Sequence, residues 1–344
     1  MIFFRLKDFL KAHKWWDCQI ALMMGVAYSA LLEQAALPAM LPLLQTALLF
    51  LISSIGIAGF GYLFNDLHDR VQDERSGARN LLAGNSSSII LAKFTLVLVM
   101  GLLPWIWLRG SHEIWCVLAF QYFLFFIYSQ PPIRLKSRGV FGVMADSTYA
   151  YVNSSVVAAL LFSGLTQGHL PSLYLSLLIG WTFTMGLRQI LFHQLVDANR
   201  DLADGISTFV VRYGAFRTFR LLSRVLIPGE LLLFSLFLID LGMSAIYIPL
   251  FFAGFTAYIY FRERKKWIWN AKNPFLLPPI SLATLFTERV MDHFMMGWFP
   301  MLMLAPLCLR QPWYLVVTVI HYFIFENGPK RVINYDILPK LKSR

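Results

Sequence analysis

Apolar positions in this chain come in long continuous runs, and the polar ones gather in short clusters between them. A helix of about 20 apolar residues covers the roughly 30 Å of a bilayer's hydrocarbon core, so such runs predict membrane spans. The pattern predicts a span near 16–32 and a second after a Pro-containing turn at 38–42. Further spans are predicted near 88–108, 114–129, 141–163, 171–195, 218–240, 244–261, 290–309 and 312–325. Connections are short, among them RGSHE at 109–113 and a tight hairpin through Arg310 and Pro312. The apolar stretch NPFLLPPISLATLF is too broken by proline for a regular span and reads as interfacial or re-entrant.

This pattern divides the chain into a basic amphipathic segment at 1–14, a helical bundle at 15–262, further membrane segments at 263–325 and a basic tail at 326–344. Composition agrees, with 58 % apolar and 14 % charged residues. The fold class expected is an all-α membrane protein with about nine or ten transmembrane helices.

The net charge of +11 does not signal nucleic-acid binding, because all 30 Lys and Arg residues except Arg109 and Arg310 fall on one side of this topology or at its helix ends. By the positive-inside rule that side is cytoplasmic and holds both termini, as in a multi-pass protein of a bacterial-type inner membrane in contact with membrane lipid. Cys18, Cys116 and Cys308 are isolated and suggest neither a disulfide framework nor a zinc site.

Two acidic stripes change the picture. In NDLHDRVQD, Asp66, Asp69 and Asp73 fall at helical spacings i, i+3 and i+7, with Asn65 one turn before Asp69. Two carboxylates about 4 Å apart repel by roughly 4 kcal/mol at an effective dielectric of about 20, so the stripe calls for a counter-cation or for raised pKa values. Oxygen ligands with neither Cys nor a His pair nearby favour Mg²⁺ or Mn²⁺. In HQLVDANRDLADG, Asp197, Asp201 and Asp204 repeat the arrangement, with His193 one turn before Asp197. Each stripe closes an apolar helix on the same side, so two readings stand. The stripes face one another around a diphosphate, or each is a solvated helix exit.

Cationic loops lie on that side. Arg75 and Arg79 follow the first stripe, and Arg134, Lys136 and Arg138 follow the helix-stopping prolines of YSQPPIRLKSRG. They either hold a diphosphate or obey charge topology. Asp146 and Asn153 sit inside an apolar run, which is costly unless they face a wet cavity, and Arg188 and Gln189 lie near the end of another. Glu288, Asp292 and His293 enter a late span together and are expected to pair locally with Arg289.

With these residues in view, the chain resembles the UbiA-type intramembrane prenyltransferases. Asn65, Asp66, Asp69 and Asp73 match the NDxxDxxxD motif, and Asp197 and Asp201, followed by Gly205 and Thr208, match the later DxxxD motif and its DxxxGxxT continuation. YSQPPIRLK looks like the family's tyrosine-proline-basic loop. The resemblance implies a bundle around a central cavity, opening laterally to lipid and capped by polar loops. It implies an Mg²⁺-dependent transfer of a prenyl group from a prenyl diphosphate to a lipophilic or amphiphilic acceptor, with release of diphosphate. On this reading Asn65, Asp66, Asp69, Asp73, Asp197 and Asp201 hold Mg²⁺, or Mn²⁺, and Arg75, Arg79, Arg134, Lys136 and Arg138 bind diphosphate. Tyr128 stands near the leaving group, and Asp146, Asn153, Arg188, Gln189, His193 and Gln194 line the acceptor pocket.

Two departures qualify the resemblance. Gln194 stands where many members carry another acidic residue, and four apolar segments follow the second motif where a nine-helix plan needs three. Phosphoribosyl transfer to a polyprenyl phosphate would use the same carboxylates, and a non-catalytic lipid carrier is a further alternative.

Overall fold

The computed structural model describes residues 15–77, 79–108, 110–203, 205–271 and 286–332. The basic segment 1–14, Arg109, Asp204, most of the proline-broken stretch and the tail from 333 lie outside the described residues, as does the side chain of Glu288. The elements are α1 (Cys18–Leu32), entered through a π-helical turn at Trp16–Ile20, then α2 (Met40–Ser76), α3 (Ser87–Leu108) and α4 (His112–Ser129). Next come α5 (Val140–Thr166), α6 (Ser172–Ala203), α7 (Ala215–Asp240) and α8 (Tyr247–Ala271). The last are α9 (Phe299–Arg310), preceded by π-helical turns from Phe286, and α10 (Tyr314–Ile324).

Six of the described helices, α2 to α7, are long and apolar enough to cross a membrane. Their lipid-side positions carry exposed large apolar residues such as Leu91, Ile106, Val225 and Ile239. Helix α2 has 37 residues and α6 has 32 residues. At the rise of an α-helix they extend about 55 Å and about 48 Å, well beyond the hydrocarbon thickness. These overlong helices carry the two acidic stripes on their C-terminal ends, so the stripes project past the apolar layer.

Helix α1 is apolar on every side and buried on every side, which makes it the axis of the bundle. It packs against α5 and α9, and a Cβ on Gly25 would come within 2.9 Å of the Phe299 ring. The C-terminal segment is therefore core: Val290, Met291, Phe294, Phe299 and Met303 have no exposed surface. Helices in lipid gain little from apolar contact alone and associate through close backbone approach and hydrogen bonds. At the α2–α3 crossing, a Cβ on Gly56 would lie 2.1 Å from the Gly101 nitrogen. Ser53 Oγ donates to the Gly101 carbonyl at 2.7 Å and accepts from Trp105 Nε1 at 2.8 Å.

Charge also ties the bundle. Arg188 of α6 is fully buried and meets Glu230 of α7 through Nε and Nη2, at 2.6 and 3.1 Å. Its Nη1 donates to Asp292 Oδ1 at 2.8 Å, and Gln189 Nε2 donates to the same oxygen at 2.6 Å. Asp292 thus bonds across the bundle, where the sequence suggested local pairing with Arg289. A guanidinium with no access to water needs its compensating carboxylates within reach, and this demand draws Asp292 towards α6.

Candidate functional site

The first acidic stripe is built into a cage of donors. After α4 the chain turns through Arg134, at φ +37°, into a short 3₁₀ turn at Leu135–Ser137. This aims Lys136 Nζ at Asn65 Oδ1, 2.9 Å away, and at both carboxylate oxygens of Asp69. Arg134 Nη2 donates to Asp69 Oδ1 at 2.9 Å and to Gln72 Oε1 at 3.2 Å. Burial pushes the Lys136 ammonium below lysine's usual range, and the facing Asp69 carboxylate opposes that shift. On the other side of the stripe, Gly77 in the left-handed conformation ends α2 and folds the following loop back. Asn80 Nδ2 then donates to the Asp66 carbonyl and to Asp73 Oδ2, both at 2.7 Å, and the Leu81 N–H donates to Asp66 Oδ2 at 2.8 Å.

The second stripe's continuation also has a local physical reason. Gly205, at φ +69°, adopts the left-handed conformation that ends α6. Thr208 caps the short helix Phe209–Tyr213 by accepting from the Val211 N–H at 3.4 Å, which satisfies a donor that the first turn leaves free. Gln194 Oε1 accepts from the Val210 N–H at 3.4 Å, so it fastens this short helix to α6. Asp197 pairs with Arg200 on its own helix at 2.9 Å, and Asp201 is buried.

Beside Asn65 opens a cavity of about 880 Å³. It follows α2 from Asn65 down to Phe50, α4 from Ser129 to Val117, and α5 from Asp146 to Val157. His193 and Val196 of α6 complete its mouth, so both helices that carry acidic stripes border the same space. The wall at this end is aromatic, with Phe125 and Tyr128 at 5.0 and 5.2 Å, centroid to centroid, from Tyr149. The Tyr149 hydroxyl donates to Asp146 Oδ2. Arg289, Asp292, His293, Asn327 and Arg331 bring the C-terminal segment into the wall.

Of the residues expected to line an acceptor pocket, Asp146, Asn153, Gln189 and His193 are on the cavity wall. Arg188 instead lies behind the wall, spent on Glu230 and Asp292. Arg75 and Arg79 are exposed beside the first stripe, and Arg138 Nη2 donates to the Pro132 carbonyl at 2.8 Å. Glu230, Gln121 and Asn80, like Phe125 and Tyr149, were not anticipated. Glu230 and Gln121 each stand alone in an apolar run, and that isolation was the available signal. Asn80 lies in a polar loop and carried no signal of its own.

Among the described residues, no group of three or more His, Cys, Asp and Glu side chains is gathered as a metal site. The oxygens of Asn65 and Asp69 do converge on one positive charge, the Lys136 ammonium. An all-oxygen set focused on a cation has the donor chemistry of a hard divalent ion, so these residues fit Mg²⁺.

The fold agrees with solved structures. A UbiA homolog from Archaeoglobus fulgidus bound to DMAPP and Mg²⁺ superposes with a TM-score of 0.60 at 16 % identity, covering 88 % of this chain and 98 % of that one. The same homolog bound to GPP and Mg²⁺ gives a TM-score of 0.58 at 16 % identity and the same coverage. Among curated proteins, the lycopene elongase/hydratase of Halobacterium salinarum (strain ATCC 700922 / JCM 11081 / NRC-1) is 29 % identical over 161 residues, 45 % of this chain. That match spans only 54 % of the relative's length. The model of the UbiA prenyltransferase family matches residues 22–275, about three quarters of the sequence and both acidic motifs, and the chain belongs to that family.

Proposed function

We propose that the protein transfers a prenyl group from a prenyl diphosphate to a lipophilic acceptor, depends on Mg²⁺ and releases diphosphate. The observation that carries this reading is the juxtaposition at the cavity mouth. Asn65 and Asp69 with Lys136 and Arg134 stand at one end of a long, mostly apolar and aromatic cavity. Such a site accepts a molecule with a highly charged head and a hydrocarbon tail, and the neighbours that hold DMAPP or GPP with Mg²⁺ support it.

Asn65, Asp66, Asp69 and Asp73 on α2, with Asp197 and Asp201 on α6, would hold the metal, which supplies charge neutralisation to the diphosphate when bound. Lys136 and Arg134 sit beside the stripe and stabilise charge on the departing diphosphate as the C–O bond lengthens. Arg75, Arg79 and Arg138, on the same side, add to the field that draws an anionic donor to the mouth. Positive charge developing on the prenyl C1 meets the faces of Phe125, Tyr128 and Tyr149, which stabilise a cation without offering a strong nucleophile. The apolar walls exclude water, which would otherwise capture that carbon.

The test is diphosphate release from GPP by the purified protein in detergent, with extracted membrane lipid as acceptor source. Release should require Mg²⁺, stop with chelator and fall by roughly 100-fold or more in Asp66→Ala and Asp197→Ala at equal protein level. Full turnover in either variant would remove the metal-site assignment, and pentose transfer from a phosphoribosyl diphosphate would replace the donor.

A further inference from the structure

Three polar atoms on the cavity wall have no hydrogen-bond partner: Nε of Arg289 in the C-terminal segment and, on the packed helices α4 and α5, the pair Oε1 of Gln121 and Nδ2 of Asn153. Gln121 and Asn153 are each only 6 % exposed. Buried polar atoms are nearly always paired, so this pair of orphans points to an occupant. They are also structurally linked. The π-helical turn Thr148–Val152 sends the Asn153 backbone N–H to the Thr148 carbonyl, and the neighbouring Tyr149 carbonyl accepts from Gln121 Nε2 at 2.9 Å. Asn153 follows Tyr149 by one helical turn, and π turns of this kind recur at functional sites.

The pair lies deep. Ser129, at the mouth, donates to Asn65 at 3.3 Å. Gln121 stands two helical turns before Ser129 on α4, which places it about 12 Å further along the helix. The cavity lining includes Phe50, Trp105, Leu118 and Val157, with Ser54 and Ser154 as further polar positions. A pure hydrocarbon here would leave one acceptor and one donor dry. A hydroxyl has the chemistry for both, since it can donate to an amide oxygen such as Gln121 Oε1 and accept from an amide nitrogen such as Asn153 Nδ2.

We infer that Gln121 and Asn153 form a hydroxyl-recognition subsite, and that the acceptor is a lipophilic alcohol or phenol whose hydroxyl sits about 12 Å of helix from the cavity mouth. Naming the occupant the acceptor rests on the prenyl-transfer reading, but the subsite is measurable without turnover. The full chain in detergent is titrated with a C20 isoprenoid alcohol and with the C20 hydrocarbon that lacks its hydroxyl, and binding is followed by tryptophan fluorescence, to which Trp105 on the wall contributes. The alcohol should bind roughly tenfold tighter. Asn153→Leu and Gln121→Met should each reduce that preference to about twofold or less, while Asn65→Ala at the mouth retains it. Asn153→Leu leaves the Gln121–Tyr149 bond untouched, so the test survives if Gln121→Met folds poorly. Equal binding of the two probes, or a preference that persists in both deep variants, overturns the subsite. Alcohol preference without Mg²⁺-dependent diphosphate release keeps the subsite and overturns the prenyl-transfer reading instead.

Discussion

Lys136 Nζ stands 2.9 Å from Asn65 Oδ1 while it also contacts both oxygens of Asp69. One ammonium therefore bridges the amide and the central carboxylate of the NDxxDxxxD motif, where a donor diphosphate and its counter-ions are proposed to meet. Its removal should act on donor binding before it acts on folding, because Arg134 still pairs with Asp69. A charge-assisted hydrogen bond contributes about 1.5–3 kcal/mol, so Lys136→Met should raise the KM for GPP by roughly 10- to 100-fold. Steady-state diphosphate release at saturating Mg²⁺ measures this, and an unchanged KM would assign Lys136 to holding Asp69 alone.

The helix crossing at Gly56 makes a second prediction, about assembly. A side chain there would have to occupy the space of the Gly101 backbone, with its Cβ 2.1 Å from that nitrogen. Neither backbone can yield without separating α2 from α3 and breaking the Ser53 bonds to Gly101 and Trp105. Gly56→Leu should abolish recovery of monodisperse protein, because close backbone approach is what holds such a crossing together. Gly254→Ala, where a Cβ meets no atom within 4 Å, should leave recovery unchanged. Size-exclusion profiles of the two variants give the answer.

The acidic stripes, their helical spacing and the apolar runs beneath them were legible because each depends on period and length, which a sequence displays directly. What encloses them was not. The Lys136 contact with Asn65 spans 71 positions, and nothing in SQPPIRLKSRG distinguishes that lysine from one placed there by charge topology. The last segment reads as an addition when spans are counted along the chain. Its place against α1 depends on Gly25 meeting Phe299, a contact between small and large residues that leaves no periodic trace. The π-helical turn that frees the Tyr149 carbonyl is equally silent, since TYAYV would serve a regular helix as well.

The Arg188 cluster supports the most stringent prediction about stability. Arg188 and Glu230 have no side-chain exposure, and Asp292 is 20 % exposed, towards the cavity. Breaking a buried pair by deleting one partner costs about 3–5 kcal/mol, since the remaining charge keeps its desolvation penalty and loses its counter-charge. Glu230→Leu should therefore destabilise the protein by about that amount in mixed-micelle unfolding followed by circular dichroism. Asp292→Asn should cost less, because the amide still accepts from Gln189 and Glu230 still faces Arg188. Replacing the charges together, as Arg188→Met with Glu230→Leu and Asp292→Asn, removes the unpaired charge and should recover most of the loss. If the triple variant is as unstable as Glu230→Leu, the cluster holds α6, α7 and the C-terminal segment together by shape rather than by charge compensation.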